Sequence, residues 1–139
     1  MAEGLLRRKL EREGRTGEFR AASAGVWTAD GQPATNEAIR VMAGRGIDIG
    51  GHRSRVTTPE IIEGAALILT MTRNHAEALR AEFPAHASRI RLLTETVGRS
   101  YDVQDPVGGT LSDYERTAQQ LEDLIEQGYP QMVKLIGEQ

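Results

Sequence analysis

The spacing of apolar and polar residues divides this chain into helices joined by short strands. Apolar spacing and helix-start residues predict five helices: residues 2–13, a segment opening at 35, residues 58–64, residues 74–83 and a segment opening at 112. Short apolar runs between turn residues predict three strands: residues 19–24, 66–71 and 90–93. The predicted order is therefore α, β, α, α, β, α, β, α.

Capping and helix-breaking residues set the expected ends of these helices. Thr35 and Thr58 are predicted N-caps, and Ser112 with Glu115 reads as a capping box. Within the last helix, one predicted face is formed by Tyr114, Ala118, Leu121 and Ile125. Gly128 and Pro130 are expected to interrupt this helix, leaving one or two further turns after them.

Helices placed between short strands favour parallel pairing with right-handed crossovers. The predicted fold class is α/β, with a sheet covered on both sides. The length of 139 residues suits one domain over residues 1–139.

Composition and charge exclude several kinds of function. The net charge of -3 and pI of about 5.6 give no reason to expect nucleic acid or an anionic membrane as a partner. The chain has no cysteine, which excludes disulfides, thiolate catalysis and zinc–cysteine sites within it. Its histidines, His52, His75 and His86, lack metal-ligand spacing, so no metal site is expected. No apolar run is long enough to span a membrane, and no signal peptide is predicted.

The loop Tyr101–Gly109 carries the strongest candidate for chemistry. Asp105 precedes Pro106, which restricts the backbone, and Gly108-Gly109 permits a strained turn. An aspartate held on a rigid loop after a strand suits a catalytic acid, because α/β folds place their chemistry at strand ends. An ordinary turn with a capping aspartate is the alternative. Asp102 could be a second acid or a solvated charge.

Several stretches, taken together, resemble the low-molecular-weight protein-tyrosine-phosphatase family. They are Met1-Ala2-Glu3-Gly4-Leu5-Leu6, Ser23-Ala24-Gly25, His52-Arg53-Ser54-Arg55, Leu67-Ile68-Leu69-Thr70-Met71-Thr72 and Asp105-Pro106-Val107-Gly108-Gly109. The resemblance covers essentially the whole chain. Ala34-Thr35, the helix containing His75, and Tyr114-x-x-Thr117 are most similar to the bacterial protein-arginine-phosphatase branch.

The resemblance implies a three-layer sandwich with a short parallel sheet and a cysteine-dependent mechanism without a cofactor. In the family, a Cys-x5-Arg loop cradles the phosphate and its thiolate attacks phosphorus. By resemblance, Asp105 is the general acid, and Ser23 and His52 brace the phosphate loop. The alternative for these two, if no such loop is present, is a serine at the end of a strand and a surface histidine. Trp27 is a possible pocket wall, with burial against the core as the alternative. Arg53 and Arg55 could attract phosphate or be exposed charge.

One departure from the family pattern changes the expected activity. The family's loop precedes the position of Met1, so the first central strand, the catalytic cysteine and the loop arginine are missing from this sequence. We expect the complete enzyme to be a protein phosphatase that acts on phosphotyrosine or phosphoarginine and is located in the cytoplasm. We expect no turnover by these 139 residues alone. The alternatives are a non-catalytic pseudophosphatase that binds a partner and, more weakly supported, an arsenate reductase of the same fold.

Overall fold

The computed structural model describes residues 1–25 and 29–137, which contain five α-helices and two β-strands. In chain order these are α1 (Ala2–Arg12), α2 (Asn36–Ala43), α3 (Pro59–Gly64), β1 (Ile68–Thr70), α4 (Arg73–Glu82), β2 (Ile90–Leu92) and α5 (Leu111–Gly137). Two 3₁₀ turns, Pro84–Arg89 and Leu93–Val97, flank β2. Met1–Val56 and Asp105–Ile125 form one compact unit, and Thr57–Gln104 forms a second with the described residues from Glu126 onward.

The first unit buries one face each of α1, α2 and the beginning of α5. Leu5 and Leu10 of α1 are buried, and an added Cβ at Gly4 would lie only 3.0 Å from a methyl group of Ile47. Glycine therefore lets α1 approach this part of the core closely. The predicted α5 face is also buried; its members in this unit are Tyr114, Ala118, Leu121 and Ile125.

Charged side chains link three segments of the same unit. Glu122 of α5 accepts hydrogen bonds from Arg8 at 3.0 Å and from Arg45 at 2.7 Å. Arg8 also donates to the backbone carbonyl of Arg45. All three side chains are about a fifth exposed, so one carboxylate neutralises two partly buried guanidinium groups.

The second unit contains the sheet. β1 and β2 pair in parallel, with Ile68, Leu69 and Thr70 opposite Ile90, Arg91 and Leu92. The predicted parallel pairing is thus confirmed for the described residues, in which β1 pairs with β2 alone. The part of α5 in this unit approaches the turn Leu93–Val97, since a Cβ at Gly128 would meet the side chain of Thr96.

The predicted starts of α2 and α3 are confirmed, whereas α4 and α5 begin at residues other than the predicted ones. Thr35 and Thr58 each accept a capping hydrogen bond of 3.3 Å, from the N–H groups of Ala38 and Ile61. Helix α4 begins at Arg73, with Thr72 as its cap, rather than at Asn74.

The capping box of α5 lies two residues before the predicted one. The Thr110 N–H donates to the Asp113 carboxylate at 2.8 Å, and the Asp113 N–H donates to the Thr110 hydroxyl at 3.2 Å. The Ser112–Glu115 box was therefore wrong, because the same spacing of capping residues occurs twice in this stretch.

The predicted strand at 19–24 is also wrong. A strand needs a neighbouring backbone along its length, and here only the end of the segment has one. The Gly25 N–H donates to the Arg55 carbonyl at 2.9 Å, and Gly25 forms a single parallel bridge with Val56. Residues 19–24 are consequently neither helix nor strand.

The predicted interruption of the last helix does not occur. Helix α5 continues through Pro130 to Gly137. Pro130 is exposed, whereas Tyr129 and Met132 are buried. The backbone hydrogen bond that proline removes thus lies on the solvent side, and burial of the neighbouring side chains offsets its loss.

Candidate active site

The loop carrying Asp105 is a tight, locally hydrogen-bonded turn in the first unit. The Asp105 carboxylate accepts from the Val107 N–H at 3.0 Å, and the Gly109 N–H donates to the Pro106 carbonyl at 2.8 Å. Gly108 has φ +83°, which a residue with a side chain rarely adopts. Asp105 itself is exposed. The turn holds its backbone while leaving the carboxyl group accessible to a ligand.

Glycine is required at the end of this turn for steric reasons. A Cβ at Gly109 would lie 2.8 Å from the Pro106 carbonyl oxygen and 2.7 Å from the Asp113 carboxylate. Both distances are shorter than ordinary contacts, so any side chain would displace the turn or the start of α5. The Gly108-Gly109 pair noted in the sequence thus permits the geometry of the loop that carries Asp105.

Glu3, in the first turn of α1, brings two predicted site residues together. Its carboxylate accepts from the Ser23 hydroxyl at 3.4 Å and lies 3.5 Å from Nδ1 of His52. Arg7 donates to the same carboxylate at 3.1 Å. The Glu3 side chain is only 17% exposed, so these contacts satisfy a largely buried charge. Ser23 and His52 therefore meet at the beginning of α1.

The charge of Asp105 also acts at the beginning of α1. Burial lowers the pKa of the Met1 amino group below its ordinary value, and the negative charges of Glu3 and Asp105 partly oppose that effect. The charges of Glu3 and Asp105 thus both act on the amino group at the beginning of α1.

The segment from His52 to Val56 connects this cluster to the flanking loops. The Arg55 guanidinium donates through Nε to the Ser23 carbonyl at 3.0 Å. The Ser54 hydroxyl donates to the Ala29 carbonyl at 2.5 Å, and the Val56 N–H donates to the Asp30 carboxylate at 2.7 Å. The last three residues of this segment are thereby fixed to neighbouring parts of the unit.

Other candidate residues lie elsewhere or have structural roles. The Asp102 carboxylate accepts from the backbone N–H of Arg73 at 2.9 Å, which places it at the start of α4 in the second unit. His86 contacts Arg89 in the same unit. Trp27, the possible pocket wall, lies outside the described residues. Residues 1–25 and 29–137 include no cluster of three or more metal-ligating side chains and no helix able to cross a membrane.

Comparison with known proteins identifies the family. A family model described as low molecular weight phosphotyrosine protein phosphatase matches residues 1–137. The chain belongs to this family. It is 35% identical to the protein-arginine-phosphatase of Bacillus subtilis (strain 168) over 96% of this chain and 88% of that protein.

Solved structures confirm the fold class. A low molecular weight protein tyrosine phosphatase from T. tengcongensis has a TM-score of 0.88 and 37% identity over 94% of this chain and 88% of that chain. A mutant YwlE arginine phosphatase, described as having a phosphorylated active-site serine, has a TM-score of 0.89 and 34% identity over 96% of this chain and 86% of that chain. The α/β fold of this phosphatase family, with its short parallel sheet, is therefore established.

Glu3 is a residue of the candidate site that the sequence analysis did not identify. It lies inside Met1-Ala2-Glu3-Gly4-Leu5-Leu6, one of the stretches that carried the resemblance. A sequence signal was thus present, but an acidic residue in the first turn of a helix is ordinarily explained by the helix dipole alone. The contact with His52 depends on a segment almost fifty positions away, and local pattern does not reveal it.

Proposed function

We propose that this chain supplies the general acid and the loop-supporting residues of a cysteine-dependent protein phosphatase. The substrates are proteins carrying phosphotyrosine or phosphoarginine. The observation that carries the proposal is the joining of Ser23 and His52 by Glu3 at the start of α1, in the unit that also holds Asp105. Family membership supports the same reaction class.

The local geometry suits the roles proposed for these residues. An exposed carboxyl group on a braced turn can donate a proton to the leaving oxygen or nitrogen as the bond to phosphorus breaks. The resulting carboxylate can then take a proton from the water that hydrolyses the phosphocysteine. Glu3 orients the hydroxyl of Ser23 and the imidazole of His52, which we propose brace the phosphate loop.

The same proposal assigns no turnover to these 139 residues alone. The mechanism needs a thiolate, and the sequence contains no cysteine. A non-catalytic binding protein is the second candidate function, and the absence of cysteine is the observation that favours it.

A fusion experiment tests the proposal. The strand and Cys-x5-Arg loop of the Bacillus subtilis arginine phosphatase would be joined ahead of Met1, and phosphate release would be measured with phosphoarginine and phosphotyrosine peptides. We expect no release by the 139-residue chain, release by the fusion, and none when the added cysteine is replaced by serine. Comparing the two peptides gives the substrate preference.

Two further variants of the fusion separate catalysis from folding. Asp105→Asn should lower turnover by about 10²-fold or more, as expected for loss of a general acid. Asp102→Asn, which removes a carboxylate three positions earlier in the chain, should leave turnover within a few-fold of the parent. A folded fusion without activity toward either peptide would argue for the non-catalytic binding protein. Equal losses of turnover in the Asp105 and Asp102 variants would contradict the assignment of Asp105 as the general acid.

A further inference from the structure

Arg55 is attached at two points to the backbone beside the candidate active site. Its Nε donates to the Ser23 carbonyl at 3.0 Å, and its own carbonyl accepts from the Gly25 N–H at 2.9 Å. Both contacts lie within three residues of one segment. They hold the guanidinium group next to Ser23, so less side-chain freedom remains to be lost when a ligand binds.

The far end of this guanidinium group is open to a ligand. In the described part of the chain, Nη1 and Nη2 of Arg55 have no hydrogen-bond or ion-pair partner, and the residue is exposed. Arg53 differs, because its Nη1 donates to the His52 carbonyl at 2.7 Å and to the Gly50 carbonyl at 3.4 Å. The two free nitrogens of Arg55 form a planar fork that fits a carboxylate.

The carboxylate of the cluster formed by Glu3, Ser23 and His52 already has charged partners. Glu3 accepts from Ser23, but it is also paired with Arg7 at 3.1 Å and lies 3.5 Å from His52. Arg55 forms no ion pair with any described residue, although its guanidinium group is hydrogen-bonded to the backbone of Ser23.

We infer that Arg55 is a specificity-determining residue that binds an Asp or Glu side chain of the protein substrate. This rests on the proposed function, which places the phosphorylated residue near Ser23. An extended peptide advances about 3.3 Å per residue, and the arginine side chain is long. The recognised carboxylate belongs to a residue within about three positions of the phosphorylated one.

The binding step can be tested on the 139-residue chain without catalysis. The Nε–H resonance of Arg55 would be followed by ¹⁵N NMR during titration with a Glu-rich pentapeptide and with the matched Gln peptide at low salt. We expect a concentration-dependent shift with the Glu peptide only, and its loss in about 0.5 M salt. Arg55→Gln should weaken apparent binding of the Glu peptide about two- to fivefold, the range expected for one exposed charge pair.

Arg53→Gln is the matched control, because it removes the same charge two residues away. It should leave Glu-peptide binding unchanged, while amide spectra of both variants report whether the fold is retained. Equal weakening in the two variants would indicate a diffuse basic surface and overturn the inference. An equal response to the Gln peptide, or no saturable shift at Arg55, would also overturn it. None of these results alters the fusion experiment, so failure of the proposed function would be seen separately.

Discussion

Replacing Gly128 by alanine should destabilise the protein, although alanine is the better helix former. In an exposed helix interior this change stabilises by about 1 kcal/mol. At this position the new Cβ would lie 2.8 Å from the Cβ of Thr96 and closer still to its hydroxyl oxygen. Helix α5 or the turn containing Thr96 must therefore move.

The expected loss of stability follows from the contacts of Thr96 that this movement disturbs. Thr96 is 6% exposed, and its hydroxyl donates to the Leu93 carbonyl at 2.6 Å. Overpacking a core costs about 1–3 kcal/mol, and a lost buried hydrogen bond costs about the same. If both are incurred, subtracting the gain of about 1 kcal/mol in helix propensity leaves an expected loss of about 1–5 kcal/mol in the free energy of unfolding.

Urea unfolding followed by circular dichroism measures this change directly. Gly64→Ala is the matched control, because Gly64 ends a helix and a Cβ added there would meet no other part of the chain within 4 Å, so the change should be neutral or slightly stabilising. Thr96→Ala in the same background should reduce the cost of Gly128→Ala, since it removes the nearest clashing atom. A Gly128→Ala protein as stable as the parent, or more stable, would refute the packing described for α5.

Two further perturbations test the first unit. Glu122→Gln leaves Arg8 and Arg45 without their shared carboxylate and should lower the free energy of unfolding by about 1–2 kcal/mol. The control is Glu115→Gln, because Glu115 lies 3.8 Å from Arg45 and is more exposed; this change should alter the free energy of unfolding by less than about 0.5 kcal/mol. Equal urea midpoints for the two variants would contradict the shared ion pair. Hydrogen bonds from the Thr110 backbone and side chain lower the pKa of Asp113 below its ordinary value. Its stabilising contribution is therefore present above about pH 4 and is lost as the pH falls through the lowered pKa. Asp113→Asn should flatten the acid limb of a stability–pH curve; an unchanged slope would contradict the cap.

The sequence allowed prediction of those features that depend on short-range chemistry. The caps at Thr35 and Thr58 and the buried face that begins at Tyr114 are confirmed, because capping residues and helical spacing act within a few positions. The family was also recognisable, since its motifs occur in order along the whole chain.

The errors arise where long-range contacts decide the outcome. Residues 19–24 have the composition of a strand, but a neighbouring backbone is available only at Gly25. Pro130 is a helix breaker in isolation, but burial of the residues around it keeps α5 continuous. Glu3 was missed for the same reason, because its partners Ser23 and His52 approach it only in the folded chain.

The leaving-group dependence of the Asp105→Asn effect tests the central claim most directly. In the fusion that carries the added cysteine loop, turnover of phenyl phosphate would be compared with that of p-nitrophenyl phosphate. A general acid matters most when the leaving phenol is weakly acidic. We predict a loss of about 10²-fold or more with phenyl phosphate and a much smaller loss with p-nitrophenyl phosphate. Equal losses with the two substrates, or no loss, would contradict the assignment of Asp105 as the proton donor.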